Sequence, residues 1–156
     1  MTLEPHHVKE PLSPCSGEVV AAVVLLRDDG AALLQHRDDK AGLRGAGTWV
    51  PPGGHCKPGE SIEACARREF HEETGYQCNK LNWMISLEDD YDEGWPVYQL
   101  EVFWARYDGV QSVRCLEGQD LQFVERHLAS SYPIPSYLIE VWDLAIAASE
   151  DHSTSR

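Results

Sequence analysis

At 156 residues the chain suits one domain long enough to bury a core, and a hydrophobic fraction of 42% fits a globular protein that faces water. A formal net charge of −13 with no visible basic patch excludes a partner that is a nucleic-acid polymer, because like charge repels a polyanion. No apolar run reaches the roughly 18 residues of a membrane span and the N-terminus lacks a basic-then-apolar leader, so no membrane partner and a cytoplasmic location are expected.

Residues 1–16 carry Pro5, Pro11 and Pro14 among polar side chains and are predicted to be a mobile arm; 17–149 form the domain, and 150–156 a disordered tail. Glu18 to Arg27 is apolar and β-branched, Asp28-Asp29-Gly30 has turn chemistry, and Ala31 to His36 resumes the pattern, which predicts a hairpin. A loop rich in glycine and charge spans Arg37 to Gly47. Thr48-Trp49-Val50 is a short strand, and Pro51-Pro52-Gly53-Gly54 a rigid, closely packed turn.

The next element is a helix capped by Ser61 and stopped by Gly75. At about 100° per residue, Ile62, Ala66 and Phe70 form its apolar stripe. Glu69 and Glu73 fall on that same core-facing stripe, with Glu72 beside them. Burial and mutual repulsion would force protons onto these carboxylates unless a cation compensates. Oxygen ligands favour a hard divalent ion, Mg²⁺ or Mn²⁺.

Leu81 to Leu87 and Val97 to Tyr107 read as a second hairpin with an acidic tip at 88–94. A calcium loop there is disfavoured, since Tyr91 takes the third ligand position and no glutamate closes the twelfth. Leu121 to Val124 is a short strand. Pro135 to Ala148 has helical spacing through Leu138, Val141, Trp142 and Ala145 and closes the domain as an amphipathic helix. The order β-β-β-α-β-β-β-α defines an α/β class with a mixed sheet covered by helices. Five cysteines, Cys15, Cys56, Cys65, Cys78 and Cys115, without a C-x-x-C pair, are expected to be reduced thiols rather than a disulfide framework or a zinc site.

Gly54, Glu60, Arg68, Glu69, Glu72, Glu73 and Gly75 stand at the spacing G-x5-E-x7-R-E-U-x-E-E-x-G-U, which resembles the Nudix box. The two U positions, usually aliphatic, hold Phe70 and Tyr76. The resemblance extends from about Val19 to about Ala145 and implies the Nudix-type α/β/α sandwich. It also implies metal-dependent hydrolysis of a phosphoanhydride in a nucleoside diphosphate linked to a group X, in this chain a small nucleotide such as a nucleoside triphosphate. ADP-ribose or a nucleotide sugar is the alternative substrate. A non-catalytic nucleotide-sensing domain is another reading, although such domains usually lose box carboxylates and all are present here. A homodimer is compatible with the sequence.

By the same resemblance the metal is held by Glu69, Glu72, Glu73, a backbone carbonyl near Gly53, and Glu117, which lies in Glu117-Gly118-Gln119, a segment matching one in MutT-like members. Glu69, Glu72 and Glu117 are each candidates for the general base. Arg68 would orient a carboxylate, and Glu60 would anchor the loop to Arg68, with Gly54 and Gly75 as structural support. Arg37 is either a phosphate ligand, as in MutT-like members, or a surface arginine paired with Asp38 or Asp39. Trp49, Tyr91, Trp95 and Tyr98 are candidates for base stacking or for packing, whereas His55 and His71 read as exposed and without a role. Ser136 stands where MutT-like members place a guanine-reading asparagine, which implies weak discrimination among bases.

Overall fold

The protein is described here by a computed structural model covering residues 18–89 and 98–154. The predicted arm, Tyr91, Trp95 and the question of a calcium loop lie outside the described residues.

The elements in order are β1 (Val19–Leu26), β2 (Ala32–His36), β3 (Trp49–Val50), β4 (Gly53–His55), α1 (Ile62–Thr74), β5 (Asn82–Asp89), β6 (Tyr98–Arg106), β7 (Asp120–Val124), a 3₁₀ turn (Arg126–Ser131) and α2 (Ser136–Thr154). Seven strands form one mixed sheet in the order β3-β2-β1-β6-β5, with β4 also paired to β1 and β7 to β2. β1 runs parallel to β6 and antiparallel to β2 and β4. Its run Val-Val-Ala-Ala-Val-Val-Leu-Leu is apolar throughout because both its faces are covered.

Alternation along β1 sorts its side chains between two cores. Ala22, Val24 and Leu26 pack with Leu138, Val141, Trp142 and Ala145 of α2. Val19, Ala21, Val23 and Leu25 pack with Ile62, Cys65, Ala66 and Phe70 of α1. The result is an α/β/α sandwich. Among the described residues, one acidic side chain is fully enclosed in it: Glu101 on β6 accepts from Trp83 Nε1 at 2.9 Å and Ser86 Oγ at 2.6 Å, and from Gln99 as well. Those donors replace the water it gives up.

Three expectations are corrected. The Pro-Pro-Gly-Gly segment is more than a turn, since Gly53–His55 pairs with β1 as β4. The chain from residue 150, expected to be a disordered tail, continues α2 to Thr154; no glycine or proline follows Ala148 within it to act as a stop signal. Cys56 and Cys65 are joined in a disulfide with Cα atoms 5.2 Å apart, instead of being two reduced thiols. Here the amide of Glu60 donates to the carbonyl of Lys57 and folds the loop back, so Cys56 after β4 meets Cys65 in the first turns of α1. Cysteine counting cannot see such a local return of the chain. Of the other described cysteines, Cys78 is buried, which pushes its thiol up to about 12, and Cys115 is exposed.

Candidate active site

Helix α1 is set in place at both ends. The Ser61 side chain accepts from the Ala64 amide, and Gly75 leaves the helix at φ 74° with its amide bonded to the His71 carbonyl. Only glycine takes that left-handed turn at little cost. Phe70 and Tyr76, the aromatic residues of the box, are both buried and meet edge to face at 6.0 Å. With this face docked on the sheet, Glu73 is carried inward to 5% exposure, while the Glu72 side chain remains 55% exposed.

Arg68 gathers four partners. Its Nε and Nη2 donate to the two carboxylate oxygens of Glu60 at 2.8 and 3.0 Å, its Nη1 to Glu69 at 2.8 Å and Glu72 at 3.2 Å, and its Nη2 also to the His55 carbonyl at 3.1 Å. A planar guanidinium can make all of these at once because its donors are fixed in a fork. The contact holds Glu60 below the usual carboxylate range. Glu69 moves the other way, since burial outweighs the attraction of Arg68.

Glu73 lies deeper, and among the described residues no basic side chain is ion-paired with it. Its Oε1 accepts from Gln35 Nε2 at 3.0 Å and from the Gly53 amide at 3.3 Å. Its carboxyl lies beside that of Glu117, an exposed residue. The segment bearing Glu117 is tied to the end of α1, with the Arg114 amide donating to the Thr74 carbonyl and the Leu116 amide to the Glu73 carbonyl. Burial, then the hydrogen bond and charge of Glu117, drive Glu73 well above the ordinary carboxylate range.

The two glycines before the helix leave no room for side chains. A Cβ on Gly53 would fall 2.2 Å from the Ala21 carbonyl oxygen, and one on Gly54 would fall 1.7 Å from Glu69 Oε2. Gly53 thus lets β4 lie against β1, and Gly54 lets Glu69 reach the strand.

The remaining predicted residues are scattered around this centre. Arg37 donates from Nε to the Arg44 carbonyl at 2.9 Å, while Asp38 is paired with Lys40 at 3.9 Å. Trp49 is 7% exposed, stacked on His36 with ring centres 4.5 Å apart, and so packs in the core instead of offering a face to a base. Tyr98 lies between His55, at 5.0 Å edge to face, and the guanidinium of Arg44, 4.5 Å above its ring. His55 and His71 are exposed, and Ser136 is the first residue of α2. Gln35 escaped the sequence reading; its only signal was a polar residue in the apolar run Ala-Leu-Leu-Gln-His.

Among the described residues, no three of His, Cys, Asp or Glu converge closely enough to hold a metal as they stand. Glu69 and Glu72 are turned to Arg68 instead. The donor set is nonetheless all oxygen, and a buried carboxyl with a second carboxyl beside it suits a hard divalent ion.

The NUDIX domain family model matches residues 17–129. The chain belongs to the Nudix family. It is 37% identical over 81 residues to putative nudix hydrolase 1 of Caenorhabditis elegans, a match taking in 51% of this chain and 21% of that protein. It is 45% identical over 53 residues to the nucleoside triphosphatase NudI of Escherichia coli, or 34% of this chain and 37% of that one. The chain thus matches well under half the length of these relatives. Among solved structures, the Ap4A hydrolase of C. elegans superposes with a TM-score of 0.71 at 20% identity, covering 86% of this chain and 99% of that one. The MutT Nudix hydrolase of Burkholderia pseudomallei gives 0.68 at 20% identity, covering 81% and 96%. These likenesses show that the fold is the one found in MutT.

Proposed function

We propose that the chain is a divalent-metal-dependent hydrolase of nucleoside diphosphate derivatives, acting first on nucleoside triphosphates to release pyrophosphate. The observation that carries the reading is the buried Glu73, with the exposed Glu117 carboxyl beside it and two further carboxylates tethered by one arginine. Such an arrangement is costly to keep unless a cation and a polyphosphate use it. Among the relatives, NudI is named a nucleoside triphosphatase.

In this reading Glu69, Glu72, Glu73, Glu117 and the Gly53 carbonyl hold Mg²⁺ or Mn²⁺. The ion, when bound, supplies positive charge to the polyphosphate and acidifies water in the site. The chain's own groups do the rest. Glu73, buried and pinned by Gln35 and Gly53, fixes the position of the charge. Arg68 holds Glu69 and Glu72 at the helix face through Glu60, so their carboxylates need little reorganisation to receive a proton. Proton acceptance falls to whichever of Glu69, Glu72 and Glu117 the cation leaves least occupied. Arg37 is the basic side chain assigned to the outer phosphates.

Turnover of a panel of nucleoside triphosphates, ADP-ribose, a dinucleoside tetraphosphate and a nucleotide sugar, each with Mg²⁺ and with EDTA, tests the proposal. Metal-dependent release of pyrophosphate from triphosphates is expected, lost to below about a hundredth in Glu73→Gln with the circular dichroism spectrum unchanged. Binding of nucleotides without turnover of any would overturn it in favour of a sensing domain.

A further inference from the structure

We infer that Gln35 is a positioning residue for the metal centre: its buried amide fixes one oxygen of Glu73 and braces the loop that carries Glu117. The inference rests on the proposed reading of Glu73 as a metal ligand.

Gln35 is 3% exposed, deep enough that its amide must have a protein partner. That partner is Glu73 Oε1, at 3.0 Å and 38 residues away in sequence. The same oxygen accepts the Gly53 amide at 3.3 Å. With two donors on Oε1, the carboxylate cannot rotate freely, and Oε2 is the oxygen left to a cation.

The backbone of Gln35 is itself immobilised. β2 is paired on one side with β3, Gln35 opposite Val50, and on the other with β7, Gln35 opposite Leu121. The amide is therefore delivered from one of the best-anchored points near the site.

The second contact is with the other acid-bearing segment. Gly118 lies so close that a Cβ on it would fall 3.0 Å from Gln35 Cγ and 2.6 Å from the His36 carbonyl. Gln119 donates its amide to that same carbonyl at 2.7 Å and its side chain to the Arg37 carbonyl at 2.8 Å. Gln35 thus touches the helix that carries Glu73 and the loop that carries Glu117 at once.

Chemistry explains why the residue is an amide. A lysine of similar reach would place a competing positive charge where the cation belongs, and a glutamate would add a further repelling carboxylate. Glutamine donates a hydrogen bond without adding charge. Groups that orient metal ligands in this way typically account for 10–100-fold in metal affinity or activity.

The test is Mn²⁺ binding to the full chain by calorimetry, with thermal melting in EDTA as the measure of fold. Gln35→Met keeps the length and loses the donor; Gln35→Asn keeps an amide but withdraws it by one methylene. Both are expected to weaken Mn²⁺ binding by about 10–100-fold and to raise the Mg²⁺ concentration for half-maximal activity more than they lower kcat at saturating metal. A purely structural role would lower the melting temperature in EDTA and leave the Mn²⁺ dissociation constant where it was. Mn²⁺ binding within about threefold of wild type in whichever variant folds overturns the inference alone. Failure of the wild-type chain to bind Mn²⁺ overturns the metal reading, and this inference with it.

Discussion

Gly54 and Glu69 are in such close contact that any side chain on the glycine would occupy the place of the carboxylate. The obstruction is the far end of a flexible side chain, so Gly54→Ala should be accommodated by Glu69 swinging away. At Gly53 the obstruction is the β1 backbone, which cannot swing. Gly54→Ala is therefore expected to keep its fold while losing at least tenfold in turnover. Gly53→Ala should cost about 1–3 kcal/mol of stability. Parallel melting and kinetics separate the two, and equal losses of stability would show the distinction to be false.

The raised titration of Glu73 and Glu69 gives stability a definite pH dependence. A carboxyl whose folded pKa lies above its unfolded value of about 4.3 stabilises fully below that value and progressively less as pH rises through the folded pKa. Without metal, this contribution should therefore shrink as pH is raised from about 5 towards 9. Metal binding needs the deprotonated acids and releases protons. The increment in melting temperature from millimolar Mg²⁺ should thus be larger at pH 8.5 than at pH 6.0, and EDTA should abolish it. An increment as large at pH 6.0 would contradict the raised titration of Glu73.

Arg68→Lys preserves the charge but cannot grip Glu60 with two prongs while also meeting Glu69 and Glu72. We expect at least a tenfold loss of kcat/KM with a small change in melting temperature, because the pairs are partly open to solvent. Retention of full activity would mean that the fork geometry is immaterial.

The Cys56–Cys65 bridge closes a short ring containing Glu60, with a sequence separation of 9. Loop-closure entropy for such a ring is worth about 2–3 kcal/mol. Dithiothreitol, or Cys56→Ser, should lower the melting temperature by about 5–10 °C. Identical melting curves in oxidising and reducing buffer would indicate that the bridge contributes nothing to stability.

Ser136 lacks the paired donor and acceptor of a side-chain amide, so selectivity among bases should be modest. The values of kcat/KM for the common triphosphates are expected to lie within about tenfold of one another, with no marked gain for 8-oxo-dGTP. A hundredfold preference for any one base would refute this.

The helix and its acids were legible because their signals are local. Ser61, Gly75 and the stripe Ile62, Ala66, Phe70 define both ends and the buried face of α1 from sequence alone. The apolar run of β1 likewise declared a strand covered on both sides. What sequence could not show are relations between distant segments: Gln35 under Glu73, Gly53 against Ala21, and the return of the chain that brings Cys56 to Cys65. Each depends on register, and a shift of one residue in β2 would turn Gln35 to the opposite face.

The parallel pairing of β1 with β6, Val19 opposite Gln99 through Leu26 opposite Arg106, also dictates an order of events during synthesis. The partners are separated by roughly eighty residues, and such long closures are slow to form. Helix α1 can coil as soon as Gly75 is made, well before the strand that completes its platform exists. At about 5–20 residues per second, several seconds pass in which its acidic face has emerged without Glu117 or a finished sheet. The two acids can therefore come together only after Glu117 has been made and the central strands have closed.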